Sequence, residues 1–419
     1  MKDITIQRVR EFSLWQPLTV SDFRLLWLGQ AVSLFGDQFY LVALPWLTFR
    51  LTDSALALGT VLMVAGGARA VFQLVGGALS DRFSPRTLML VSNIVRSLVT
   101  AAITIVVITG VTQLWHLYLL SLVFGLVDAF FFPAYMSIVP LLVENEFLSA
   151  GNALLRGTAR LMGLIGPAVA GVVIATKSLG AAFAIDTASF VIAAGSIWLM
   201  KDSRGIGGEE PAAGDTIREE GLFASIKAGL LYAWSHPLIR ALLFFVAAIE
   251  FSFSGPLIVG LAALAKSRFG GEATALGWML AAFGGGMLLG MLVVGSIKSL
   301  RRRGRLVIEI MFFLGVGLAL IGFVTRVIWA SVVLALIGLG GGLANIIILA
   351  LLQSKTDKRM LGRVMGVVMF ATAVLEPLSF ALAGLLGDAN LTIVFVGGGA
   401  VVLITSLFSL ASAALIRAD

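Results

Sequence analysis

The side chains able to do chemistry in this chain are ionisable groups placed where such groups are rare. Asp37, Arg69, Arg96, Asp128, Arg156, Arg160, Glu250 and Glu376 each fall inside a long apolar run, and Asp186 and Glu309 fall nearer run ends. Holding a charge in an apolar segment is unfavourable, so such a residue pairs, faces water or carries a function. Asp128 can pair with Arg96 or Arg160, and Arg69 can neutralise Asp37; such pairs would be structural. Glu309 reads as interfacial, and Asp186 as interfacial or paired near one surface. Glu250 and Glu376 have no basic residue at the same depth in their own runs. An unpaired carboxylate in a dry site can carry a proton near neutral pH, or bind a cationic group directly. Asp37 and Glu250 sit at comparable depths of the first and seventh runs, which makes them the leading candidates for proton or cation coupling. Asp128 and Glu376 come next, and the polar Asn345 follows the glycine run Gly340-Gly341-Gly342.

Other chemistries are poorly supplied. The 419 residues include no cysteine and only His116 and His236, which argues against a metal centre or a thiolate or histidine-based catalytic cluster. There is no P-loop, so direct use of ATP is not expected. Hydrophobic residues make up 59% and charged residues 13%, with mean hydropathy +1.02. A soluble domain carries about 25% charged residues, so this is the composition of a polytopic membrane protein. Apart from Arg69, Arg96, Arg156 and Arg160, the basic residues behind the formal charge of +7 lie mostly in loops and form no basic face for nucleic acid.

Twelve apolar runs are long enough to span a bilayer: 22–49, 55–79, 87–109, 114–142, 150–175, 179–200, 238–264, 273–297, 306–325, 327–352, 360–386 and 391–416. All should be helices, because hydrocarbon offers backbone groups no partner outside helices and closed barrels, and barrel-type alternation is absent. With the N-terminus inside, one set of loops holds Lys2, Arg8, Arg10, Arg82, Arg86, Lys201 and the run Arg301-Arg302-Arg303, among others. The opposite set holds only Arg50, Lys177, Lys266, Arg268 and Arg326. This asymmetry puts both termini in the cytoplasm. Lys2, Arg8 and Arg10 precede a stretch too long for a signal peptide, and Ile6, Val9 and Trp15 suggest a short interfacial helix before Pro17.

Residues 201–221 are rich in glycine and charge and read as a flexible linker, followed by an amphipathic stretch, Leu222–Trp234. The expected organisation is an N-terminal segment 1–21, a six-helix bundle 22–200, a cytoplasmic connection 201–237 and a second six-helix bundle 238–419. The halves echo each other. Leu141-Leu142 with Gly166-Pro167 and Leu351-Leu352 with Glu376-Pro377 recur at one offset of 210 residues. Duplicated halves of this kind place a substrate path between them. Gly255-Pro256 should kink the seventh run just beyond Glu250. The clusters Gly284–Gly286, Gly338–Gly342 and Gly397–Gly399 allow close helix packing or bending.

Between the second and third runs lies Gly76-Gly-Ala-Leu-Ser-Asp-Arg-Phe-Ser-Pro-Arg86. It resembles the loop of the major facilitator superfamily, Gly-x-x-x-Asp-Arg-x-Gly-Arg-Lys/Arg. Gly77, Asp81 and Arg82 match in place, Arg86 takes the last basic position, and Ser84-Pro85 replaces Gly-Arg. The family's fifth-helix pattern, associated with exporters and antiporters, is partly met by Gly166, Pro167 and Gly171, with its leading glycine displaced to Gly163. Phe35-Gly36-Asp37, Phe132-Pro133-Ala134 and Ala150-Gly-Asn152 are similar to the branch that includes macrolide efflux pumps and the enterobactin exporter. The resemblance implies an all-α fold of two six-helix bundles, with the first, fourth, seventh and tenth helices lining a cavity. It further implies that Asp81 faces the start of the eleventh helix, near Arg359–Gly362. A carboxylate there is stabilised by about 0.3–1 kcal/mol. Arg82 or Arg86 could pair with Glu144 or Glu146, completing a latch between the halves. The plainer alternative is that these charges only set topology and turn the chain.

The expected function is secondary active transport, proton-coupled export of amphiphilic molecules (a drug, macrolide-like compound or siderophore) by alternating access. The aromatic pairs Phe39-Tyr40 and Phe251/Phe253 beside the candidate acids suit such substrates better than sugars. A transporter or flippase of lysophospholipid-like substrates is the second reading, and a polytopic receptor or enzyme the third; no nucleophile–base set supports an enzyme. No cofactor is expected, the proton gradient being the driving force. The expected partners are the small-molecule substrate and the bilayer, with no nucleic acid and no obligate protein, for a monomer in the plasma membrane (the inner membrane where there are two).

Overall fold

The computed structural model describes residues 14–80, 83–201, 222–297, 302–410 and 416. Among the described residues every regular element is helical. The helices are α1 (Ser21–Thr52), α2 (Ala55–Ser80), α3 (Pro85–Ile108), α4 (Leu114–Leu142), α5 (Leu148–Thr176) and α6 (Leu179–Leu199). After the linker come α7 (Leu222–Ser235), α8 (Pro237–Gly255), α9 (Leu261–Arg268), α10 (Ala273–Ser296), α11 (Arg303–Ile321), α12 (Val327–Lys355), α13 (Leu361–Ala389) and α14 (Leu391–Leu410). Each expected run meets a helix within a few residues, apart from the end of the last run, part of which falls outside the described residues. So do most of the expected N-terminal helix and the linker beyond Lys201. Ahead of α1 stands a 3-10 turn, Gln16–Thr19, with Pro17 in its first positions.

Eleven spans among the described residues are long and apolar enough to cross a membrane: α2 to α6, the continuous α8–α9 unit, and α10 to α14. The 32-residue α1 is outside that set; it carries Asp22, Arg24, Asp37, Gln38 and Arg50. Exposed tryptophans sit near helix ends, with Trp115, Trp278 and Trp329 at one face of the bundle and Trp15, Trp198 and Trp234 at the other. That is where an amphipathic ring meets both hydrocarbon and headgroups.

Local chemistry sets the helix ends. Ser84 caps α3, its hydroxyl accepting from the Thr87 N–H at 3.2 Å, and Pro85 begins the helix where no N–H is needed. The Ser84-Pro85 departure from the family loop is therefore a helix start. The seventh span breaks after Gly255 into a π turn, Pro256–Gly260. The Ser379 hydroxyl enters the break from α13, accepting from the Gly255 N–H at 2.7 Å and donating to the Phe251 carbonyl at 2.6 Å. A proline with a hydroxyl inserted into the helix ladder is a sufficient cause for the kink.

In the first half α1 packs on α5 and α6, α2 on α4, and α3 on α4 and α6. In the second, α10 packs on α12, α11 on α12 and α14, and α8 on α13 and α14. The halves meet chiefly through α2 with α13 and α5 with α10. Under the sequence duplication these are two copies of one contact. Pro167 and Pro377, 210 residues apart, each face a glycine of the opposite half, Gly277 and Gly66. The amphipathic α7 lies against the start of α13, with Gly229 against the Arg363 backbone, and leaves Leu230, Leu231 and Trp234 exposed.

Candidate functional site

Between the halves lies a cavity of about 630 Å³ whose first-half wall is polar: Gln30, Asp37 and Tyr40 from α1, Arg69 and Gln73 from α2, Asp128 and Tyr135 from α4. The spacing of Gln30, Leu34 and Asp37 places them on one face of α1. A second chamber of about 260 Å³ is lined by the other half: Glu250 and Phe253 from α8, Phe283 and Met287 from α10, Gly341 and Asn345 from α12. Thr372 of α13 borders both. One wall is charged. The other is apolar, with Glu250, Asn345 and Thr372 as its polar groups.

The charges pair differently from two of the expectations. Arg96 pairs with Asp128, the first of the two partners open to it, and its guanidinium lies 4.5 Å from the Phe131 ring centre and 5.6 Å from that of Phe190. Arg160 instead points its Nη1 at Met287 Sδ across the interface, 3.5 Å away. Arg69 pairs with Glu376 of α13, not with Asp37, so Glu376 is not an unpaired acid. That correction could not come from the runs taken singly, because the partner is 307 residues away. Asp186 is no surface residue; it is fully buried in α6 and faces Gly36 of α1. Glu309 pairs with Arg305 at 2.8 Å on the exposed end of α11.

Glu250 accepts a hydrogen bond from the Ser254 hydroxyl at 2.9 Å. It lies within electrostatic reach of Glu376 and Arg69. Asp37 lines the polar wall within reach of Arg96 and Asp128. Arg156, on α5, is exposed.

At the face carrying the α1–α2 turn, the halves are fastened by residues that sequence reasoning missed. Lys266 of α9 pairs with Asp53 and donates to the Phe49 carbonyl at 3.1 Å. Asp388, near the end of α13, accepts from the Ser54 hydroxyl at 2.6 Å, the Ala55 N–H at 2.5 Å and the Leu56 N–H at 3.2 Å. It thereby binds the free donors at the start of α2 from across the interface. A Cβ on Gly384 would lie 2.8 Å from the Ala55 carbonyl oxygen, and Gly59 faces the Phe380 carbonyl. No local pattern announces a cap supplied from the far half.

The fifth-helix residues act in this closure. Gly171 approaches the Ala273 carbonyl, with a Cβ there at 2.9 Å, Gly284 approaches the Gly163 carbonyl at 2.6 Å, and the Pro167 carbonyl faces Gly277, while Gly166 packs on Gln38 of α1 within the first half. Among the described residues these contacts run from the Asp53 face down to the Arg69–Glu376 pair, and the cavity lies beyond it. At the opposite face Asp81 and Arg82 lie outside the described residues, as do the surroundings of Gly77. Arg86 donates to the carbonyls of Ile197 at 3.1 Å and Trp198 at 2.8 Å, at the end of α6. Glu144 opens the short turn before α5.

Comparison with known proteins agrees with this architecture. The chain is 25% identical over 379 residues to macrolide efflux protein A of Streptococcus pyogenes, covering 87% of this chain and 89% of that one. It is 25% identical over 367 residues to the enterobactin exporter EntS of Shigella flexneri, covering 87% and 85%. A crystal structure of a POT family transporter in complex with 5-aminolevulinic acid superposes with a TM-score of 0.74 at 14% identity, over 94% of this chain and 96% of that chain; this likeness concerns the fold alone. The Major Facilitator Superfamily model matches residues 26–378. With two halves meeting at equivalent helix pairs around a central cavity, this chain belongs to that superfamily.

Proposed function

We propose that this protein is a proton-coupled exporter of amphiphilic small molecules working by alternating access. In this reading α1, too, crosses the membrane, giving twelve spans, and both termini are cytoplasmic. The bundles 22–200 and 238–419 rock against each other in the plasma membrane. The observation that carries the proposal is the two-sided cavity, with Asp37 on a charged wall and Glu250 as the ionisable side chain lining an otherwise largely apolar chamber. The apolar chamber suits the body of an amphiphile, and a carboxylate among apolar groups attracts a cationic head. With the basic loops inside, the fastened Asp53 face is the outer one and the cavity opens inward, ready to load from the cytoplasm. Export is supported by relatives named for efflux.

The test is substrate-dependent proton movement in proteoliposomes, with a macrolide and other cationic amphiphiles as probes, for the parent, Asp37→Asn and Glu250→Gln. Proton movement coupled to flux in the parent, and lost or strongly reduced in either variant, is expected. Flux without proton movement would overturn the coupling and favour a uniporter or a flippase of lipid-like substrates. No flux of any amphiphile would overturn the transport reading.

A further inference from the structure

Behind the polar wall lies a group that the cavity chemistry does not use. Asp186 is fully buried, and neither of its carboxylate oxygens has a hydrogen-bond partner. Its Oδ1 stands 3.1 Å from where a Cβ of Gly36 would be, beside Asp37 in sequence. Ser33 on α1, three residues before Gly36, is also fully buried. Its hydroxyl is likewise without a partner. Buried polar groups are nearly always satisfied, so a buried carboxylate that is not points to something bound.

The balance of charge there points to a cation. The groups facing this interior are Asp37 and the phenol of Tyr40 from α1, Arg96 from α3, Asp128 from α4 and Asp186 from α6. Arg69 of α2 shares the cavity but is engaged by Glu376. Arg96 is committed to Asp128. Asp37 and Asp186 therefore share the site with no cation of their own. Two carboxylates so placed do not both stay charged and bare in a dry interior. Asp37 borders the open cavity, where water can solvate it; Asp186 cannot reach water that way.

We propose that the interior between α1, α3 and α6 binds one small monovalent cation, a proton or an alkali ion, with Asp186 as its buried holder and Asp37 as its door to the cavity. One cation at Asp186 supplies the missing positive charge and leaves Asp37 to exchange it with the cavity. The consequence for transport rests on the exporter reading: the ion's entry and departure would be timed by which face the cavity meets.

The site is testable without transport, on the full chain purified in nanodiscs. If the ion is a proton, infrared spectra at neutral pH contain the carbonyl stretch of an un-ionised carboxyl group that disappears in Asp186→Asn. If it is an alkali ion, the protein binds radioactive sodium saturably, and Asp186→Asn abolishes this. Glu309→Gln, at an exposed ion pair, leaves either signal in place. Asp37→Asn keeps the signal but slows exchange of deuterium or sodium into the site. That variant also serves as the probe should Asp186→Asn not fold. A folded parent with neither signal overturns the site, and loss of the signal in Asp37→Asn overturns the assignment to Asp186. If the signal is present but efflux follows neither ion gradient, coupled export falls and the site stands. If export is coupled but no signal depends on Asp186, only the site falls.

Discussion

Replacing Asp388 with alanine should part the halves at the Asp53 face. The carboxylate takes three donors at the start of α2, from Ser54, Ala55 and Leu56. Leu56 is exposed and Ser54 half-buried, so both can turn to water, and Ser54 still caps the helix by accepting from the Ala57 N–H at 3.1 Å. The Ala55 N–H is different: Ala55 is buried, so its donor would be left unsatisfied while the halves stay together. An orphaned buried donor costs about 1–3 kcal/mol, and a lost carboxylate at a helix N-terminus about 0.3–1 kcal/mol. Parting the halves hydrates Ala55 and recovers most of this, so the substitution favours the parted state by about 1.5–2 kcal/mol. That is a rise of roughly 10- to 30-fold in its population relative to the closed state. The chain has no cysteine, so spin labels can be placed at Val111→Cys and Ile328→Cys, exposed positions on this face in opposite halves. Pulsed electron paramagnetic resonance should show a longer-distance population growing in Asp388→Ala. Identical distance distributions in equally folded protein would refute the reasoning, and the contact would then have no part in closure.

Three further outcomes are expected. Arg69→Glu and Glu376→Arg should each cut transport strongly in vesicles by setting like charges against each other, and the exchanged pair should recover part of it; no recovery would mean that the two residues act independently. Gly284→Val puts a branched side chain where a Cβ already lies 2.6 Å from the Gly163 carbonyl; folded yield by size-exclusion fluorescence should fall, and unchanged yield would show that α5 and α10 can separate freely. Ser379→Ala removes the hydroxyl bridging the broken ladder beyond Glu250 and should destabilise the protein by about 1–3 kcal/mol, read as a lower melting temperature; no change would mean that water replaces the hydroxyl.

Much of the helical framework is readable before any coordinates. The expected run 114–142 coincides with α4 (Leu114–Leu142). The kink after Gly255 follows from Pro256, which has no N–H to donate. The identity of the hydroxyl that mends the kink does not follow, because Ser379 is 124 residues from Gly255. For Asp128 the two possible partners, Arg96 and Arg160, are both visible in the sequence; the choice of Arg96 is not. Asp186 was misplaced because α6 has only this acid, and depth along one helix says nothing about which neighbour covers it.

The set of helices, their lengths and the residues rationed into them can therefore be read from the amino-acid order alone. Apolar runs bounded by charged turns have no other stable form in hydrocarbon, since each helix satisfies its own backbone. Which helices touch and which charges meet is set by how the helices pack in three dimensions. Between helices in lipid the hydrophobic effect chooses nothing; close packing of small residues and pairing of scarce polar groups do. Those contacts join positions hundreds of residues apart, as Asp388 joins Ala55 and Glu376 joins Arg69. They come into being only when both halves are in place.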